Sequence, residues 1–82
     1  MKTEAEIEQK IKDILVTEFE IDPERLTPDV NLFTEFNLDS IDAVDLIVRL
    51  QAETGKRVDP ESFRSIRTLR DVTTAVYKLV NG

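Results

Sequence analysis

The sequence LDSIDAVDLIVRLQAE, residues 38–53, decides the fold of this chain. Apolar side chains recur along it at helical spacing, and Thr54-Gly55 directly after it supplies a helix stop signal. Serine and aspartate are among the commonest residues at a helix N-terminus, so the stretch opens as helices usually do. It predicts a helix from about Ser40 to Glu53.

The predicted helix has three sides when its residues are placed at intervals of about 100°. One side is apolar and forms the natural core face, a second is polar, and a third is apolar again, nearly opposite the core. Packing on one face needs only one apolar stripe. Two interpretations therefore compete: either the preceding loop covers the third side, or a partner protein docks there. The three sides are, in that order, Ala43, Leu46, Ile47 and Leu50; Asp42, Asp45, Arg49 and Glu53; and Ile41, Val44 and Val48.

The rest of the chain predicts three more helices and one long connection. The connection, residues 22–39, contains so many large apolar groups that it should fold back onto the core, with a helical turn at 23–26. The fold class is therefore all-α: a single domain over residues 1–82, a four-helix bundle with a long loop between helices I and II and a short helix III. The other predicted helices are Glu4–Phe19 with Thr3 as its cap, Pro60–Ser65 after Asp59, and a fourth that begins at Thr68 with Asp71 and buries Val72, Ala75, Val76, Leu79 and Val80.

Composition excludes several classes of function. The 82 residues include no histidine and no cysteine, so a Ser-His-Asp or Cys-His apparatus and the usual zinc sites are excluded. The only glycines, Gly55 and Gly82, cannot form a phosphate-cradling loop. A net charge of −6 argues against nucleic acid as a partner. We expect a protein that is not an enzyme and holds no metal.

Charge is unevenly distributed along the chain. Residues 1–55 carry 5 basic and 14 acidic side chains, whereas residues 56–82 carry 6 basic and 3 acidic ones. The acidic part either serves solubility or attracts basic partners. No apolar run approaches the roughly 20 residues that span a bilayer, and the N-terminus lacks a signal-peptide pattern. Together with the absence of cysteine, these features lead us to expect a cytoplasmic protein without membrane insertion.

Ser40 has two interpretations from the residues alone. Serine is a common N-cap, so its role could be limited to starting the helix. Alternatively, another enzyme modifies its hydroxyl, since the chain has no histidine that could activate it. An anionic group attached there would lie at the helix N-terminus, where backbone N–H groups and the helix dipole favour negative charge.

The motif Leu38-Asp39-Ser40-Ile41-Asp42-Ala43-Val44-Asp45-Leu46 resembles the prosthetic-group site of acyl carrier proteins. The resemblance extends over the chain and includes Leu32-Phe33-Thr34-Glu35-Phe36, Thr54-Gly55 and Thr68-Leu69. It implies a non-catalytic carrier that holds acyl intermediates as thioesters on a 4′-phosphopantetheine arm attached to Ser40. A separate phosphopantetheinyl transferase would take the arm from coenzyme A. A ketosynthase and other acyl-processing enzymes of fatty-acid or polyketide synthesis would be the further partners of the monomeric carrier.

The same resemblance assigns roles to individual residues. Asn37 stands where many members have glycine, and Arg49, Gln51 and Ala52 dilute the acidic face of the second helix. The diluted acidic face and the basic residues after position 55 predict a specialised type II carrier that discriminates among partners, as in a polyketide or aryl-polyene-like pathway. The implied docking residues are Asp39, Ile41, Asp42, Val44, Asp45, Val48, Arg64 and Arg67, and the candidates for an acyl cavity are Leu46, Ile47 and Leu50.

Two alternatives remain open at this point. A peptidyl or D-alanyl carrier would use the same serine, although Asn37-Leu38-Asp39 does not match the Gly-Gly-like lead-in of peptidyl carriers. A helical protein-interaction module would use only its acidic face, and Ser40 would then be only a helix cap.

Overall fold

The computed structural model describes residues 3–81, and in that range its regular structure is helical, without a strand. The all-α prediction is therefore confirmed. The described elements in chain order are α1 (Glu4–Phe19), a 3₁₀ turn (Pro23–Arg25), α2 (Leu32–Phe36), α3 (Ser40–Thr54), a second 3₁₀ turn (Pro60–Phe63) and α4 (Leu69–Asn81).

Helix α1 has the bounds that its sequence predicts. Thr3 caps it, since its hydroxyl oxygen accepts a hydrogen bond from the backbone N–H of Glu6 at 3.2 Å. The helix ends because Glu20 adopts a left-handed backbone with φ of 55°. Its apolar stripe lies in the core, with Phe19 half-buried at the end. The buried residues are Ile7, Ile11, Ile14 and Leu15.

The connection between α1 and α3 contains a short helix, α2, which periodicity did not predict. Its five residues are too few to show a helical period, and the element depends on a local cap. Asn31 Oδ1 accepts hydrogen bonds from the N–H groups of Phe33 and Thr34 at 3.0 and 3.1 Å. The predicted fold-back onto the core is present, because Leu26 and Leu32 are buried.

Backbone hydrogen bonds fasten this connection to the start of α4. Leu32 N–H donates to the carbonyl of Arg67 at 2.8 Å, and Arg70 N–H donates to that of Pro28 at 2.8 Å. An ion pair between Arg70 and Asp29 at 2.9 Å lies beside them. These contacts hold α2 and the residues before it against the start of α4.

The predicted helix III is shorter than expected. Asp59 caps it as predicted, accepting from Glu61 N–H at 3.0 Å, but only a 3₁₀ turn follows. Arg64 N–H donates to the carbonyl of Glu61 at 3.2 Å, three residues back, which is the 3₁₀ pattern and rarely continues for long. The element therefore ends at Phe63 rather than Ser65.

Helix α4 completes the core against α1. A reciprocal cap starts it: Thr68 Oγ1 accepts from Asp71 N–H at 3.1 Å, and Asp71 Oδ2 accepts from Thr68 N–H at 3.1 Å. Of the predicted stripe, Val72 and Val76 are buried, while the other three members are only half-buried. Those three are Ala75, Leu79 and Val80.

Candidate functional site

Ser40 is the first residue of α3, and its neighbour Asp39 is the cap. Asp39 Oδ1 accepts hydrogen bonds from the N–H groups of Ile41 and Asp42, each at 3.0 Å. Asp42 Oδ2 accepts from Asp39 N–H at 3.2 Å, which closes a reciprocal capping box. The interpretation of Ser40 as the helix cap is therefore wrong, because the carboxylate one residue earlier satisfies the N–H groups.

The Ser40 side chain is exposed and makes no hydrogen bond with any residue in the range 3–81. Its hydroxyl oxygen is therefore accessible and has no structural task in the described part of the chain. The turn before it is held in place by Asn37, whose left-handed φ of 54° ends α2. Asparagine tolerates this conformation better than most residues, which agrees with its standing in a glycine position.

The first turn of α3 offers fewer donors to an attached anion than the sequence suggested. The N–H groups of Ile41 and Asp42 already donate to Asp39. An anionic group on Ser40 would lie between two carboxylates, and the helix dipole alone would favour it. The residues still fit a covalent phosphate ester, since the hydroxyl is exposed and an ester bond needs no pocket.

The second apolar stripe of α3 is open to solvent. Ile41 is 77% exposed, Val44 58% and Val48 54%, so the preceding loop does not cover it. These are the only large hydrophobic side chains exposed in residues 3–81. The interpretation in which the preceding loop covers this stripe is therefore wrong.

The acidic groups beside the stripe are largely paired within the chain. Arg49 Nη1 lies 3.2 Å from Glu18 Oε1, and Arg49 Nε lies 3.1 Å from Asp45 Oδ1. The second contact is electrostatic, because Arg49 Nε has no hydrogen-bond acceptor in this geometry. Lys10 pairs with Glu53 at 3.4 Å. The polar side of α3 is thus less negative toward a partner than its sequence indicates.

A cavity of about 20 Å³ lies beside the N-terminal half of α3. Of the residues predicted to border an acyl cavity, the structure brings only Leu46 to it, whereas Ile47 and Leu50 are buried elsewhere. Sequence reasoning missed most of the lining, since it comes from four separate segments. The wall consists of Leu32, Phe33, Leu38, Asp42, Ala43, Leu46, Phe63, Ile66 and Val72.

The two arginines predicted to dock partners differ in their surroundings. Arg64 is exposed and pairs loosely with Glu61 at 3.6 Å. Arg67 Nη1 donates to the carbonyls of Arg64 and Ile66, each at 2.8 Å, and its guanidinium lies 5.9 Å from the centre of the Phe33 ring. Arg67 thus holds the segment before α4 against α2.

Comparison with known proteins gives a consistent result. The family described as "Phosphopantetheine attachment site" matches residues 9–76. "Acyl carrier protein 2" of Ralstonia nicotianae is 53% identical over 78 residues, which cover 95% of this chain and 96% of that protein. "Acyl carrier protein" of Thermosynechococcus vestitus is 33% identical over 84% of this chain and 85% of its own length. "Acyl carrier protein" of Lactobacillus acidophilus is 32% identical over 90% of this chain and 92% of that protein.

These matches exclude one of the alternatives raised by the sequence. The interpretation of the chain as a non-carrier interaction module is wrong, because the matched family is defined by attachment of the prosthetic group. In residues 3–81, no group of three or more metal-binding side chains is gathered, and no helix is long and apolar enough to cross a membrane. The protein carries 4′-phosphopantetheine and works with a transferase and acyl-processing enzymes without being a catalyst itself. The chain belongs to the acyl carrier protein family.

Proposed function

We propose that Ser40 bears the 4′-phosphopantetheine arm and that this chain delivers acyl intermediates to fatty-acid or polyketide synthase enzymes. One observation carries the proposal: Asp39 caps α3, while the Ser40 hydroxyl is exposed and has no hydrogen bond within the described residues. Esterification of Ser40 Oγ would therefore break no contact that holds the helix. When bound, the arm supplies a terminal thiol for thioester chemistry, which a chain without cysteine lacks.

We propose that the hydroxyl proton of Ser40 leaves to a base of the transferase. The chain has no histidine that could take the proton, and Asp39 Oδ1 and Asp42 Oδ2 already accept hydrogen bonds from backbone N–H groups. Ser40 lies between these two acids in the sequence, so the transferase face that approaches it should be basic.

The exposed stripe of α3 is proposed as the centre of the partner-docking surface. Three large apolar side chains that the fold leaves in water mark an interaction site better than any charge nearby. An apolar patch on the partner would cover Ile41, Val44 and Val48, and basic groups would face the acidic rim. That rim consists of Asp39, Asp42 and Asp45, of which Asp45 also pairs with Arg49 within the chain.

We further propose a specialised type II carrier, a single monomeric cytoplasmic domain that serves a dedicated pathway. Arg49 supports this, since it neutralises Asp45 and Glu18 beside the docking stripe. Arg64 is the better of the two predicted selectivity residues, because its guanidinium is exposed. The internal hydrogen bonds of Arg67 favour a structural role for that residue.

The acyl chain is proposed to enter beside Leu46, where the structure has its small cavity. A space of about 20 Å³ holds roughly one water molecule, so cargo could enter only if the wall moves. Leu38 and Asp42, on either side of Ser40, are the parts of the wall closest to it in sequence.

Attachment is tested by intact mass after incubation with coenzyme A and a broad-specificity phosphopantetheinyl transferase. The expected result is a gain of one phosphopantetheine unit by the wild-type chain and none by Ser40→Ala. A gain that persists in Ser40→Ala would contradict the proposed attachment site.

Specialisation needs a separate test. Arg64→Glu should change the ratio of acylation rates with the cognate synthase and with a housekeeping fatty-acid synthase, since an exposed charge acts on encounter and orientation. Lys12→Glu, on α1 and distant in sequence from the docking residues, is the matched control. Equal rates for Arg64→Glu and the wild type with both enzymes would contradict selectivity at this position.

A further inference from the structure

A second concave surface lies between residues 57–66 and α4, away from Ser40 and the exposed stripe of α3. It is an open groove of about 620 Å³, within the range of roughly 300–1,000 Å³ that is usual for small-molecule sites. None of the exposed α3 residues lines it. Its floor is apolar and includes Val58, Phe63, Ile66, Val76 and Leu79.

The charges on the groove differ in whether they are already satisfied. Arg57 and Lys78 line it, and neither has an ion pair or side-chain hydrogen bond within residues 3–81. Asp59 and Asp71 line it too, but Asp59 Oδ1 accepts from the backbone at 3.0 Å. The cations are therefore the free charges of this groove.

Asp71 is the more firmly engaged of the two acids. Its Oδ2 accepts from the N–H groups of Thr68 at 3.1 Å and Arg67 at 3.0 Å. These backbone hydrogen bonds, that from Thr68 first, lower the pKa of Asp71 below its ordinary value. The carboxylate thus stays ionised and directed at the start of α4, where it is a poor partner for Lys78.

We propose that this groove binds a medium-chain carboxylate without a covalent bond. The hydrocarbon chain lies on the apolar floor, because burial there removes apolar surface from water on both sides. The carboxylate pairs with Arg57 and Lys78, the free cations of the groove. A neutral amphiphile lacks the second interaction.

The groove and the small cavity beside α3 share two wall residues. Phe63 and Ile66 line both, so a chain in the groove contacts the side chains that close the cavity from behind. Hydrolysis of a carried thioester releases a carboxylate of this class, a link that rests on the proposed function. Binding itself needs neither Ser40 nor the arm, so the two proposals can fail separately.

The test is a titration of dodecanoate, below its micelle concentration, into ¹⁵N-labelled Ser40→Ala chain followed by NMR. Saturable amide shifts are expected at Val58, Phe63, Ile66 and Leu79, and none at Val44. Dodecanol, with the same chain and no charge, should bind roughly two- to thirtyfold more weakly, the range for two exposed ion pairs. Absent or non-saturable shifts, shifts confined to α3, or equal affinity for dodecanol would overturn the proposal.

A double variant checks the two cations directly. Arg57→Gln with Lys78→Gln should raise the dissociation constant for dodecanoate by roughly two- to thirtyfold. Lys56→Gln is the matched control, since Lys56 is an exposed cation next to Arg57 that does not line the groove, and it should leave the constant unchanged. Thermal unfolding verifies that both variants fold. An unchanged constant in the double variant, or an equal rise in the control, would overturn the assignment.

Discussion

Helices α1 and α3 are nearly equal in length, with 16 and 15 residues, yet they treat their apolar side chains differently. Helix α1 buries its stripe, with only Phe19 at the end half-buried, and presents polar groups to water. Helix α3 buries Leu46, Ile47 and Leu50 but leaves three large apolar residues more than half exposed. One buried stripe is enough to dock a helix. Burial in the core therefore explains why the stripe of α1 is apolar, but it does not explain the second apolar stripe of α3.

The largest expected effect is a loss of unfolding free energy when the buried stripe of α1 is truncated, compared with almost none when the exposed stripe of α3 is truncated. Ile11→Ala removes a side chain that is 1% exposed and should lower the free energy of unfolding by about 2–5 kcal/mol. Val48→Ala, at a position 54% exposed, should change it by less than about 0.5 kcal/mol. Urea unfolding of both variants measures these values. Similar losses of unfolding free energy in the two variants would contradict this distinction between the two stripes.

The next effect concerns the cap that holds Ser40 at the start of α3. Asp39→Ala removes the acceptor of two backbone hydrogen bonds and should cost about 0.5–2 kcal/mol of unfolding free energy. Asp39→Asn keeps an acceptor oxygen and serves as the control, with a clearly smaller loss. If the alanine variant were as stable as the wild type, Asp39 would not be the working cap.

A smaller effect is expected where the two helices meet. Arg49→Ala removes contacts with Glu18 of α1 and Asp45 of α3, and partly exposed ion pairs contribute roughly 0.2–1 kcal/mol. The loss should shrink as salt rises toward 1 M, because screening weakens the pairs in the wild type. A larger loss that salt leaves unchanged would mean that packing of the arginine stem is the main contribution.

The parts of the fold that were predictable are those that local patterns determine. The bounds of α1 and α3 follow from apolar periodicity together with residues that start and stop helices, such as Thr3 and Gly55. Helix α2 has only five residues, so no period could reveal it, and it exists because Asn31 caps it and α4 holds it. Long-range contacts of this kind leave no local pattern in a sequence.

The sequence pointed to Asp39 and Ser40 as candidate site residues, but it did not determine the structural role of each. Asp39 and Ser40 are both common N-caps, so the sequence could not decide which one accepts the backbone hydrogen bonds. Arg67 looked like a surface charge, and its donation to two carbonyls depends on a turn that only the folded chain forms. The cavity brings together four separate segments, and only Leu46 among the three predicted residues reaches it.

We infer that Ser40 is available for attachment because Asp39, not Ser40, caps α3. This inference is best tested by the unfolding free energy of Ser40→Ala, with Asp39→Ala measured beside it. We expect Ser40→Ala to change that free energy by less than about 0.5 kcal/mol, as for an exposed residue without structural contacts. A loss of about 1 kcal/mol or more, the size expected when a helix cap is removed, would contradict it.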